Sequence, residues 1–246
     1  MTDRVALVTG GGRGIGADVC RRLHAQGRRV AVVDLLFDEA KLVADEVEGR
    51  AYGCDVSDSA EVTSTVRAVA SDLGPVEVLV NAAGWDRFVP FVETDEAFWD
   101  RIIEVNYKGV LRTVHAVLPG MIERRFGRIV NLASDAALVG SSLESVYAGA
   151  KAGVIAFTKT IAREAAQDGV TANVVAPGPT DTQLLKDIAA AGELPAKIVG
   201  RLARAVPIGR LAQPDEIAYG VSCFAAEDAG FITGQTLSVS GGLTMS

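Results

Sequence analysis

The chain has 246 residues, 49% of them apolar and 22% charged, with a net charge of −7 and a pI near 5.0. That length suits one large α/β domain, and the apolar share excludes a disordered chain. The acidic balance argues against a general nucleic-acid binder. No apolar run approaches the roughly 18 residues that cross a membrane, and MTDRVALVTG runs straight into a strand pattern rather than a leader. Cys20, Cys54 and Cys223, with His24 and His115, have spacings that match no metal or redox motif. The cysteines read as buried small hydrophobes, and the expectation is a cytoplasmic protein with no metal.

In chain order, β-rich apolar runs fall at 5–9, 29–34, 50–56, 76–81, 127–134, 170–177 and 235–242. Helical patterns lie between them at 14–26, 38–48, 58–73, 95–123, 147–168 and 214–227. Strands alternating with helices predict parallel pairing through right-handed crossovers, and continuous apolar strands predict a sheet covered on both faces. The fold class is therefore α/β: a single-domain, Rossmann-type doubly wound sheet of about seven parallel strands. The stretch 178–213 is irregular and broken by Pro195 and Pro207. It reads either as two short surface helices or, over 180–206, as a lid on a substrate pocket.

TGGGRGIG, from Thr9 to Gly16, joins the first strand to the first helix. Gly10, Gly14 and Gly16 permit a tight turn and close approach of a pyrophosphate to the backbone, with the helical N–H groups facing the anion. Strand–turn–helix placement is what gives the glycine run meaning. Asp34 closes the second strand, where a carboxylate accepts hydrogen bonds from an adenosine ribose and repels a 2′-phosphate. Arg13, inside the glycine loop, is the residue that could favour a phosphate. The acid at the strand end outweighs it, so NAD is expected over NADP.

Tyr147 and Lys151 are four apart, one helical turn on one face. An ammonium near a phenol favours the phenolate, lowering a pKa of about 10 toward the range useful for general acid–base catalysis.

With CDV at 54–56, NAAG at 81–84, VNYKG at 105–109, NLAS at 131–134, YAGAK at 147–151 and APGPTDT at 176–182, the chain resembles the short-chain dehydrogenase/reductase family over nearly its whole length. The resemblance implies an oxidoreductase that moves hydride between a nicotinamide cofactor and a secondary alcohol or ketone. Tyr147 would be the acid–base, Ser134 the hydroxyl that orients the substrate oxygen, and Lys151 the tuner of the tyrosine and ligand of the nicotinamide ribose. Asn106 would hold a water in the proton relay, or merely brace a helix. Ile15 would donate to the cofactor phosphate, and Asp55, beside Val56, would contact the adenine. Asn81, Ala82 and Gly84 would lie along the cofactor. Pro177, Gly178, Thr180 and Thr182 would meet the nicotinamide end, although Thr182 could simply cap the next helix.

Substrate contacts are expected from Trp85, Asp135 and Gly140, with Asp135 alternatively capping a turn. The loops NAAGWDRFVPF, SDAALVGSS and APGPTDTQLL are most similar to family members acting on alicyclic hydroxyacyl-CoA thioesters, which implies a ring-bearing β-hydroxyacyl-CoA. A 3-oxoacyl-carrier-protein reductase, a dehydrogenase of free secondary alcohols and a non-catalytic NAD(H) sensor remain as alternatives. Lys186, Lys197, Arg201 and Arg204, or Arg124, Arg125 and Arg128, could hold a thioester carrier or simply face solvent. The apolar helix faces and the tail LSVSGGLTMS suit a homotetramer.

Overall fold

The computed structural model describes residues 3–245. In chain order the strands are β1 (Val5–Thr9), β2 (Arg29–Asp34), β3 (Arg50–Gly53), β4 (Val76–Asn81), β5 (Gly127–Leu132), β6 (Val170–Pro177) and β7 (Thr236–Val239). The helices are α1 (Gly14–Ala25), α2 (Phe37–Glu46), α3 (Ser59–Asp72), α4 (Glu96–Ile103), α5 (Gly109–Glu123), α6 (Ala136–Val139), α7 (Ser145–Ala165), α8 (Gln183–Ala190), α9 (Glu193–Ala205) and α10 (Pro214–Ala225).

All seven strands are parallel, in the order β3-β2-β1-β4-β5-β6-β7. Side-chain alternation along β1 divides the core. Ala6 and Val8 face the layer of α1, α2 and α10, where Val19, Leu23, Ile217 and Val221 are buried. Val5 and Leu7 face α3, α5 and α7, meeting Val62, Val114 and Val154. Each fully buried Val or Leu contributes about 1.5–3 kcal/mol. Strand order reverses between β1 and β4, and the crevice outside their carboxyl ends is where such sheets bind ligands.

Several boundaries differ from the sequence reading. β3 stops at Gly53, because Asp55 turns the chain by accepting from Ser57 N–H and Oγ at 2.8 and 2.7 Å. β5 stops at Leu132, because Ser134 turns outward and its Oγ accepts from the N–H of Ala136. β7 ends at Val239, ahead of Gly241 and Gly242 at φ +63° and +88°. The single helix expected over 95–123 is α4 and α5 joined by a π-helical turn at Glu104–Lys108. Cys20 and Cys54 are buried as expected, but Cys223 is exposed on α10. Among the described residues, no helix is long and apolar enough to cross a membrane.

Candidate active site

A chain of buried polar groups fixes α7 to the sheet. Thr113 Oγ1 donates to Asn81 Oδ1 at 2.7 Å, Asn81 Nδ2 to Asn131 Oδ1 at 2.8 Å, and Asn131 Nδ2 to Thr158 Oγ1 at 2.8 Å. Such a satisfied network in a low dielectric sets one register. The first turns of α7 are thereby held at the carboxyl edge of β5. Through these bonds the side chain of Asn81 braces the sheet, while the next residues of its segment, Ala82 and Gly84, line the trench.

Two joined hollows open along that edge. A trench of about 620 Å³ is lined by Gly10, Gly14, Gly16, Asp55 and Val56, with Arg13, Ile15, Asp34, Ala82 and Gly84. A cavity of about 280 Å³ is lined by Ser134, Tyr147, Lys151, Pro177, Gly178 and Thr180, and shares Ile15, Ala82, Gly84 and Thr182 with the trench.

The trench fits a dinucleotide. The N-terminus of α1 has no side-chain cap, which leaves its first amides for an anion. A Cβ on Gly16 would lie 2.0 Å from Gly10 O, so the loop closes on itself only with glycine. Asp34 Oδ2 accepts from Gly12 N–H and Oδ1 from Leu36 N–H, each at 3.0 Å, which fixes the carboxylate at the trench wall.

Lys151 is 3% exposed and its Nζ donates to Leu132 O at 2.9 Å, lying 5.7 Å from the centre of the Tyr147 ring. Burial pushes its pKa down to about 8, against the opposing pull of Asp86. Tyr147 shares a hydrogen bond with Ser134, which favours the phenolate. Burial and then the negative charges of Asp86 and Glu144 act more strongly, and the phenol sits above its ordinary value. The sequence led us to expect a lowered pKa. The lysine is tied to a carbonyl while two carboxyls crowd the ring, so in the protein alone the cation does not prevail.

Asn106 is fully buried in the π turn. Its Nδ2 donates to Trp85 O at 2.7 Å and Ile102 O at 3.0 Å, and its Oδ1 accepts from Trp85 N–H at 3.2 Å. The side chain therefore braces the loop after β4, and the π turn places the residue where that loop passes. Of the substrate candidates, Asp135 and Gly140 line the cavity, whereas Trp85 lines the trench. Asp135 Oδ1 also accepts from Ser238 Oγ at 2.8 Å, tying this loop to β7. Thr182 caps α8, accepting from Leu185 N–H at 3.3 Å, and lines both hollows.

The segment 180–206 contributes Leu184, Leu185 and Ile188 from α8 and Leu202 from α9 to the cavity wall. Arg124, Arg125 and Arg128 lie away from the cavity. They donate to backbone carbonyls, including those of Val76, Gln167 and Ala226, at the opposite edge of the sheet. Lys186 and Lys197 pair with Asp181 and Glu193, while Arg201 and Arg204 are exposed on α9. Glu144 was missed. A lone carboxyl just before a helix looks like a helix-start residue, and only the fold brings it beside Asp86.

A doubly wound sheet with a nucleotide trench opening onto a serine, a tyrosine and a lysine defines a dinucleotide-dependent oxidoreductase. The chain belongs to the short-chain dehydrogenase/reductase family. The matching family model, described as enoyl-(acyl carrier protein) reductase, spans residues 10–244. Acetoacetyl-CoA reductase of Rhizobium meliloti (strain 1021) is 40% identical over 241 residues, which is 97% of this chain and 98% of the relative. The 3-oxoacyl-(acyl-carrier-protein) reductase of Escherichia coli (strain K12) is 36% identical over 244 residues, 98% of each chain. A solved variant of actinorhodin polyketide ketoreductase with NADPH superposes at a TM-score of 0.93 with 36% identity, covering 98% of this chain and 97% of that one.

Proposed function

We propose that the protein interconverts the β-hydroxy and β-oxo forms of an acyl thioester, using NAD(H). The observation that carries this is the meeting of Ser134, Tyr147 and Lys151 in one cavity continuous with the trench. Ser134 holds the substrate oxygen by hydrogen bonding. In oxidation Tyr147, as phenolate, takes the hydroxyl proton; in reduction it returns that proton to the carbonyl oxygen. Lys151, moored at Leu132, stabilises the phenolate by its charge. The nicotinamide dinucleotide, when bound, accepts or supplies the hydride. Asn106 positions the Trp85 loop beside the reacting groups rather than contacting substrate with its side chain.

NAD is favoured by Asp34, whose fixed carboxylate would repel a 2′-phosphate; the apolar Leu35 and Leu36 beside it offer such a phosphate no charge. The thioester class is supported by the names of the acetoacetyl-CoA and 3-oxoacyl-carrier-protein reductases. Within that class the loops favour a ring-bearing acyl group such as 2-hydroxycyclohexanecarboxyl-CoA, and α8 and α9 would act as its lid, giving Leu184, Leu185 and Ile188 as apolar wall. The second reading, a 3-oxoacyl-carrier-protein reductase, is favoured by the same relatives.

A spectrophotometric screen decides between these readings. Cyclic and linear β-hydroxyacyl-CoAs, carrier-protein thioesters and free secondary alcohols are compared with NAD and NADP. Fastest turnover of a cyclic CoA thioester with NAD is expected. Preference for carrier-protein thioesters with NADPH selects the second reading, and dinucleotide binding without turnover of any compound rejects both.

A further inference from the structure

Asp86 and Glu144 take no part in the chemistry proposed above, yet both line the cavity with Tyr147 and Lys151. Asp86 lies in the loop after β4 and is 6% exposed; neither carboxylate oxygen has a hydrogen bond of good geometry, and the nearby backbone N–H of Arg87 favours its charged form less strongly than burial opposes it. Two unpaired oxygens in such a place are costly unless the group holds a proton. The side chain within reach is the carboxyl of Glu144, itself bonded by Ser141. Two facing carboxyls hydrogen-bond only when a proton lies between them. Burial raises both above the ordinary carboxylate range; the charge of Glu144 pushes Asp86 further, to about 8, while bonds from Ser141 and Asp86 hold Glu144 back. Among the described residues, no three or more His, Cys, Asp or Glu side chains gather as a metal would require.

We infer that Asp86 and Glu144 form a proton-sharing carboxyl pair that sets substrate choice, admitting an uncharged acyl group and refusing one that ends in a free carboxylate. This rests on the reading of the cavity as an acyl site. The shared proton leaves one negative charge on the pair, and Asp135 adds a third carboxyl to the wall. Lys151, the one cation among the described lining residues, is already bonded to Leu132 O. A 3-oxo acid would bring its carboxylate into this wall, whereas the thioester of the same acid brings none. Repulsion across a buried site is weakly screened, so specificity comes from a built-in penalty as well as from attraction.

The test uses two compounds of one carbon skeleton, ethyl 3-oxobutanoate and 3-oxobutanoate, with the full chain. The wild type is expected to prefer the ester in kcat/KM by ~100-fold or more, as one unscreened charge at a partly buried site permits. The double variant Asp86→Asn/Glu144→Gln removes that charge and should shrink the ratio by roughly tenfold, mainly through the KM of the anion, whereas Asp86→Asn or Glu144→Gln alone leaves one carboxylate and keeps most of the preference. Calorimetric titration with the same compounds reads the preference without turnover. A wild type indifferent to charge in both measurements, or a ratio unchanged in the double variant, overturns the inference. If neither these ketones nor any thioester is turned over but the binding preference falls in the double variant, the pair stands and the proposed reaction falls. Brisk thioester turnover without charge preference gives the reverse.

Discussion

In the proposed reaction Tyr147 would exchange a proton in a cavity that opposes its ionisation. The phenol is buried beside Asp86 and Glu144, the hydrogen bond with Ser134 favours the phenolate, and Lys151 is the cation that shares the cavity. If this hydroxyl is the proton carrier, Tyr147→Phe should lower kcat by roughly 100-fold or more. NADH binding, followed by fluorescence titration, should be retained. Asp34→Ala should erode the preference for NAD over NADP, measured as a ratio of kcat/KM values, because the carboxylate that repels a phosphate is gone. Asp86 has a stability signature. Its folded pKa, near 8, lies above the unfolded value of about 4, so the folded chain binds the extra proton between these values and loses stability as pH rises through that window. Lys151, lowered to about 8, acts with the opposite sign and only above that pH. Asp86→Asn should therefore raise Tm over wild type more at about pH 8 than at about pH 5, measured by thermal unfolding. At this scale the Tyr147–Lys151 pair was legible because a helix puts residues four apart on one face. The Asp86–Glu144 pair was not, because its members meet only through the tertiary fold.

Among the elements, the glycine turn shows how local sequence becomes a site. The trench exists because Gly16 lies against the carbonyl of Gly10 with no room for a side chain. Gly16→Ala would push that carbonyl aside and displace the uncapped amides of α1. Dinucleotide affinity should fall at least tenfold by fluorescence titration, even though alanine ordinarily favours a helix over glycine by ~1 kcal/mol. The strand and helix succession was legible from periodicity, most clearly where buried apolar runs such as β1 and β5 stand between helical patterns and least at β3, whose RAYG is part-exposed. The ends of β3, β5 and β7 were not, because side-chain turns and positive-φ glycines set them. The π turn in the expected 95–123 helix was invisible for a similar reason. It places Asn106 against the backbone of Trp85, and helical periodicity carries no mark of that contact.

For the whole molecule, one sheet with both faces covered leaves several apolar side chains outside. Phe231, Ile232, Leu237, Leu243 and Met245 are exposed toward the carboxyl end of the chain. A groove lined by Leu111, Val114, Leu118, Phe157 and Ile161 runs along α5 and α7. A homotetramer would cover both surfaces, and sedimentation velocity should show one species of about four chains; a monomer at micromolar concentration removes that expectation. The bond from Ser238 to Asp135 joins this outer region to the reacting loop, because Asp135 follows Ser134 directly. Leu243 and Thr244 also reach the cavity wall. The tail is thus a buttress behind the serine hydroxyl, and in the expected tetramer a neighbouring subunit that gripped it would stiffen this loop without contributing a single reacting atom.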